Sequence, residues 1–392
     1  MCDIDHVRAD VASAALRAVP VPPASTTFAA AAQRFDDNAV TAVEDAMGVL
    51  IARWFKVMPA RRRAQLSACR PSIDLDGTDI EVYGKQKQGV AYNYAGQKVG
   101  RAHPATWAET GLVLAADLGS GVDDPRPQAP GLITRAIANL PAGLPRPRVR
   151  ADAGYFDAKV AHAAVAAGAD FGIAAKRNTA SWRAVAAVHE AAWEDCWDHA
   201  RRPGRRLRLR PGGMAGRDPL RCPARTGRPR RDPQRSAVAS AAHDPPRPAG
   251  VGPGRRSDRD LRVQLHRHQP DRRAPQHRAL VPGTSVDRRT PQDSKLGYGL
   301  FHLPSGKVRV NRIWMWSAYL ATNLSVFTQN LGHIDVDGRA HGKRARRELF
   351  ALPARVTRHA RRIIVRFAVG VADPAFRTAW KHLRALPTAV PG

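Results

Sequence analysis

Paired cysteines are missing from this 392-residue chain. Its four cysteines, Cys2, Cys69, Cys196 and Cys222, lie far apart with no CxxC pair. That excludes a disulfide scaffold, a zinc ribbon and a thioredoxin motif. A secretory leader is not expected either, because the sequence opens with Asp3 and Asp5 in place of a basic stretch and an apolar core. No run is apolar enough to span a membrane. The best, Ile313 to Phe327, is broken by Ser317, Thr322, Asn323 and Ser325. Neither a Walker A loop nor a GxGxxG fingerprint occurs, and Gly119-Ser120-Gly121 reads as a turn. His189-Glu190 opens like a zinc-protease motif, but position 193 is Trp. Acids are scarce: 34 Asp and Glu face 63 Lys and Arg, for a net charge of +29. The expectation is a soluble, intracellular, strongly basic protein, with a polyanion as partner and nucleic acid first among these.

The scarcity has an address. Residues 201–290 contain no Lys, Glu, Ile, Asn, Phe, Tyr or Trp, yet hold 24 Arg, 7 Asp and 13 Pro. No aromatic residue lies between Trp197 and Tyr298, and no Glu between Glu194 and Glu348. Such a stretch buries too little apolar surface to offset ordering entropy, so 201–292 is expected to be disordered. Two origins account for it. One is a genuine arginine-rich nucleic-acid-binding insert. The other is GC-rich coding sequence read out of frame, which yields Arg, Pro, Gly, Ala, Ser and Asp and seldom Lys, Ile, Phe, Tyr or Asn.

Elsewhere the pattern is that of a folded protein. Residues 1–37 are Ala-rich with Pro20, Pro22 and Pro23, and read as a flexible arm. Asn38 to Met58 reads as a helix, with Asn38 as cap and Val40, Val43, Met47, Leu50, Ile51, Trp54 and Phe55 at helical spacing. The region 38–70 ends in Arg61, Arg62 and Arg63, a solvated basic end or part of a DNA-binding unit. Strands are predicted at Ile73–Val82, Val90–Tyr94 and Leu112–Ala116. A helix near Gly131–Leu140, a strand at Arg148–Asp152, a helix at Ala158–Ala167 and a strand at Phe171–Ala175 follow. This order implies an α/β layer fold with a mixed sheet flanked by helices. Order returns at 293, with a short strand at Val308–Val310 and a helix at Ile313–Leu331. Residues Lys343–Arg366 are predicted to form a basic amphipathic helix, with Val356, Ala360, Ile363 and Phe367 on its apolar stripe. Its cations, Arg344, Arg347, Arg355, Arg358 and Arg362, are either a solvated face or phosphate contacts.

Two carboxylates carry the chemistry. Asp76, within Asp74-Leu75-Asp76-Gly77-Thr78, is placed in the first predicted strand, where an acid is unfavourable unless something compensates it. Asp152 ends a later strand, just before Gly154. Active sites of α/β sheets gather at carboxyl ends of strands, and in this layer order the two strands are expected to be neighbours. The two acids would then converge on magnesium or manganese, which favour oxygen ligands. Taken singly, either acid is better explained as the cap or end of a strand.

The strings IDLDGTDIEVYG, AYNYAG and RVRADAGYF resemble the group-one DDE transposases of bacterial insertion sequences, of the thirteen-eighty type. The resemblance covers roughly 70–200 and 293–370. It implies a ribonuclease-H-like catalytic core whose first part is 71–200, interrupted by 201–292, with a helical C-terminal part at 293–392. It implies metal-dependent DNA cleavage at element ends, strand transfer into target DNA, and a homo-oligomer as the active assembly. Asp76 would be the first catalytic acid and Asp152 the second. The family's third acid stands in a pattern of an aromatic, two residues, Arg, three residues, Glu, six residues and Lys. Lys295 fits the final position. Counting back places Val281, Thr284 and Arg288 where the aromatic, Arg and Glu belong, and Asp287 is the nearest substitute. The break falls where composition already suggests a wrong frame, so impaired catalysis is expected. The competing class is a non-enzymatic nucleic-acid binder; a cytosolic hydrolase finds no nucleophile motif in its support.

Overall fold

The computed structural model describes residues 2–17, 21–84, 86–176, 178–187, 289–334, 341–360, 362–368, 370 and 374–387, and the backbone of 194–195, 204–208, 221–225 and 264–266. Four helices lead: α1 (Cys2–Ala9), α2 (Ser25–Ala32), α3 (Asp37–Val57) and α4 (Ala60–Ala68). The region expected to be a flexible arm thus includes two short helices. Helix α3 starts one residue before the expected one, because the Asp36 carboxylate, not Asn38, caps it, accepting from Ala39 N at 2.8 Å. Met47, Ile51, Trp54 and Phe55 form its buried stripe. Pro59 ends it by holding Met58 extended, at ψ 145°.

The sheet follows as β1 (Ser72–Leu75), β2 (Thr78–Glu81), β3 (Ala91–Tyr92), β4 (Lys98–Trp107) and β5 (Leu112–Ser120). Helix α5 (Ala129–Ala138), strand β6 (Arg148–Ala151), helix α6 (Ala158–Ala166), strand β7 (Asp170–Ala174) and helix α7 (Thr179–Ala186) come next. The expected single strand 73–82 is two. β1 and β2 both pair antiparallel with β4, and the ladder breaks at Asp76 and Gly77. Strand β4 escaped the sequence reading because Gly100, Arg101, His103 and Pro104 spoil any alternation. It is nonetheless the axis of this half of the sheet, and nearly all of it is buried. Its Pro104, which lacks an N–H, lies next to an irregularity in the pairing with β5 at Ala105 and Thr106. β1, β6 and β7 run parallel in that order. Short strands β8 (Glu194–Asp195), β9 (Gly204–Arg208), β10 (Arg221–Arg225) and β11 (Gln264–His266) extend the sheet beyond β7. The rest of the stretch expected to be disordered, 201–292, lies outside the described residues up to helix α8 (Arg289–Gly297).

Helix α9 (Val308–Leu331) includes the residues expected as a strand at 308–310. It packs with α3 on the sheet: Trp54 meets the Trp107 ring edge-on at 6.4 Å and stacks on Phe327 at 5.3 Å. All four residues of β1 are buried, so the sheet is covered on both faces there. Among the described residues β5 pairs only with β4, and side chains from the helices bond backbone groups on its other edge. Asn323 accepts from Val113 N and donates to Val113 O, both at 2.9 Å. Asn139 donates to Leu114 O at 2.8 Å, and Glu44 accepts from Ala116 N at 3.3 Å. This closes an edge that would otherwise template further pairing.

The basic helix expected over 343–366 is not there. Helix α10 (Gly342–Ala345) and a wide turn at Arg346–Phe350 give way to two antiparallel strands, β12 (Ala354–His359) and β13 (Arg362–Phe367). Helix α11 (Pro374–Arg384) follows. Ala360 takes a left-handed φ of 46°, which no helix tolerates. Val356, Ile363, Ile364 and Val365 are β-branched and favour strands. The helical stripe was an alias: Val356, Ile363 and Phe367 share one face of the ribbon once the chain reverses.

Candidate active site

The site is built where β1 and β6 end. These parallel strands pair with Leu75 opposite Ala151. Asp76 and Asp152 are the next residues on each, so the two acids emerge side by side at the carboxyl ends of neighbouring strands. Asp76 is buried, at 7% exposure, and its Oδ1 accepts from Gly77 N at 2.9 Å. Asp152 is half-buried, and its Oδ1 accepts from Gly154 N at 2.9 Å, capping the short helical turn Ala153–Tyr155. Asp76 therefore stands just past β1 and not within it. The acid inside β1 is Asp74. Arg150, its register partner on β6, donates to it from Nε at 2.5 Å and from Nη2 at 2.7 Å. Both are nearly fully buried.

A second layer underlies the acids. Tyr155 Oη and His103 Nδ1 are 2.9 Å apart, linking the turn after β6 to the centre of β4. The His103 ring also lies against Gly77. Burial raises the Tyr155 phenol well above its ordinary range, and the carboxylates of Asp152 and Asp76 add to this. Tyr319, fully buried on α9, is raised by burial and by Asp76. Among the described residues, Tyr319 Oη and His103 Nε2 are buried polar atoms with no hydrogen-bond partner. His103 is neutral over most of the working pH range, since burial and the Arg101 guanidinium lower its pKa to about 4.

Beside this layer, Arg101 donates to the Asp79 carboxylate at 2.5 and 3.1 Å, and Asn93 donates to it at 2.9 Å. Burial opposes ionisation of Asp79, yet these bonds hold its pKa below the ordinary value. Asp79 is therefore committed to its own partners. Lys295, on α8, donates to the Asp79 carbonyl at 2.7 Å, which places its ammonium beside β2. Asp293, two residues earlier, accepts from Gly342 N at 2.8 Å. Asp287 and Arg288 lie outside the described residues.

Two carboxylates from adjacent strand ends are a hard-oxygen donor set that fits magnesium or manganese. Among the described residues, no cluster of three or more His, Cys, Asp or Glu side chains is placed to hold a metal. The suggested phosphate contacts do not lie on one helix. Arg344 and Arg347 both bond Glu348, at 2.9 and 3.1 Å. Arg355, Arg358 and Arg362 stand exposed on the ribbon. No helix among the described residues is long and apolar enough to cross a membrane. Sequence reasoning missed His103 and gave Tyr155 no role. The first lay on the unrecognised β4; the second stood in the string RVRADAGYF but carries no charge to mark it.

The fold is thus a mixed α/β sheet that sets two acids at the carboxyl ends of neighbouring parallel strands. Residues 67–281, more than half of the sequence, match the family described as transposase DDE domain, and the chain belongs to that family. The match runs through the arginine- and proline-rich stretch. No curated protein matches the chain. A cryo-EM structure of piggyBac transposase in a synaptic complex with hairpin DNA is similar at 10% identity and a TM-score of 0.39. That similarity covers 70% of this chain and 50% of the other, so the chain spans about half the length of that transposase.

Proposed function

We propose that this chain is a bacterial insertion-sequence transposase of the thirteen-eighty type, built to cut DNA at element ends and transfer the strand to target DNA, and that its activity is impaired. The observation that carries the reading is the parallel register that brings Asp76 and Asp152 together, within a chain of the DDE family. Asp76 and Asp152 would hold a divalent cation, magnesium or manganese. Such an ion, when bound, lowers the pKa of an attacking water or 3′-hydroxyl and offsets charge on the leaving oxygen. The backbone N–H groups of Gly77 and Gly154 each hold one oxygen of Asp76 and Asp152 at the strand ends. Lys295 supplies positive charge beside β2, where a phosphate would approach. The active assembly would be a homo-oligomer holding both ends, in the nucleoid of the cytoplasm.

Impairment follows from the missing third acid. Arg288 stands at the counted position, its charge opposes a cation, and Asp287 is one residue out of place. A frame-shifted 201–292 accounts for that loss. The test is cleavage of duplexes carrying the element's ends in magnesium. The chain should give no product above an Asp76→Asn control, and Arg288→Glu should raise cleavage above it. Robust product from the unmodified chain would overturn the impairment. A second reading, a non-enzymatic nucleic-acid binder, is favoured by the same missing carboxylate. It requires that Asp76→Asn and Asp152→Asn change neither metal nor DNA binding.

A further inference from the structure

The β12–β13 ribbon stands apart from the main sheet and carries its charge on one face. Pairing sets Arg355 opposite Arg366, Thr357 opposite Ile364, and His359 opposite Arg362. Directly opposed residues share a face of an antiparallel pair. One face therefore presents three arginines and a histidine around Thr357 and Ile364. All four basic side chains are exposed. Like charges set directly opposite each other, as Arg355 and Arg366 are, are unfavourable in a two-stranded sheet. The other face presents Val356, Val365, Ile363 and Phe367, with Arg358 among them. That face is anchored: the Phe367 ring meets Phe376 of α11 edge-on at 5.0 Å, and α11 packs on the end of α9, where Ala379 lies against Gly332. The anchoring leaves the basic face turned away from its own helix.

We propose that this face is a binding surface for duplex DNA. The proposal rests on the reading of the chain as a DNA-acting protein and adds to it a surface on a sheet separate from the one that carries the two acids. The directly opposed Arg355 and Arg366 are the argument from charge: a polyanion relieves the repulsion that their pairing creates. The spacing is the argument for a duplex. The pair Arg355 and Arg366 is separated from the pair His359 and Arg362 by four residues, roughly 13 Å along the strand. The major groove is about 12 Å wide and admits a two-stranded ribbon. A ribbon laid across it sets Arg355 and Arg366 on one phosphate strand and Arg362, with the His359 ring beside it, on the other. This differs from the helical face expected from sequence: Arg366 joins the surface, while Arg358 and the Glu348-bonded Arg344 and Arg347 leave it.

The test is binding of the full chain to a fluorescent duplex in EDTA, with affinity followed against salt. Each phosphate contact contributes about 0.9 to the slope of log affinity against log salt. Replacing Arg355, Arg362 and Arg366 together by Gln should reduce the slope by roughly 2 to 3. Replacing the three by Lys should keep it, and Arg358→Gln should leave it near wild type. An unchanged slope in the Gln variant, an equal loss from Arg358→Gln, or a greater loss on single-stranded than on duplex DNA would overturn the proposal. Absence of any duplex binding by the wild-type chain would overturn the DNA reading with it. Wild-type binding with an unaffected slope would overturn the ribbon alone.

Discussion

Burial holds His103 neutral far into the acid range, with a pKa of about 4 in place of 6.5. The unfolded chain takes up this proton near pH 6.5 and the folded chain only near 4, so between those values the unfolded state binds more protons. Stability contributed by neutral His103 is therefore present above pH 6.5 and lost as pH falls towards 4. The loss attributable to this residue is about 3 kcal/mol. Urea denaturation at pH 7 and pH 4.5 should show a smaller difference for His103→Gln than for wild type; equal differences would refute the assignment. Tyr155→Phe removes the hydroxyl from His103 Nδ1 and leaves a buried polar atom without its partner, which should cost about 1–3 kcal/mol. The same urea titration at pH 7 measures it.

At the scale of elements, two polar devices hold the sheet that carries the acids. Arg150→Met would take away the guanidinium that pairs with buried Asp74 between β1 and β6, at a cost of about 3–5 kcal/mol. Adding Asp74→Leu to that variant should recover most of the loss, and a double-mutant cycle in urea reads both numbers. Asn323→Ala would strip Val113 of both its bonds at the β5 edge and should cost about 2–4 kcal/mol, with aggregation on mild heating as the edge opens. Much of this half was legible in the sequence. Strands β6 and β7 and helices α5 and α6 stood within a residue or two of their expected places, because short apolar runs between turn signals leave little choice. β4 was not legible: its burial comes from tertiary cover, and its Gly100, Arg101, His103 and Pro104 contradict strand propensity. The C-terminal ribbon was misread because helical spacing and strand alternation select the same apolar residues when a reversal at Ala360 falls between them. The pair of acids was legible in identity. Their convergence is a property of the β1–β6 pairing, which a single sequence supports only by topological argument.

For the molecule as a whole, membership in the DDE transposase family and the paired strand ends meet at one place, Asp76 and Asp152. Everything proposed about catalysis depends on those two side chains acting together towards one cation. That dependence separates this account from a purely electrostatic DNA binder, in which the +29 net charge does the binding and the acids are strand caps. The most direct test is manganese binding to the full chain, followed by the loss of the free-ion paramagnetic signal, beside Asp76→Asn and Asp152→Asn variants of unchanged fold. The account predicts that wild type binds and that either variant weakens binding by about tenfold or more, in keeping with the loss of an oxygen ligand from a hard-cation site. Equal manganese binding in all three proteins would contradict it.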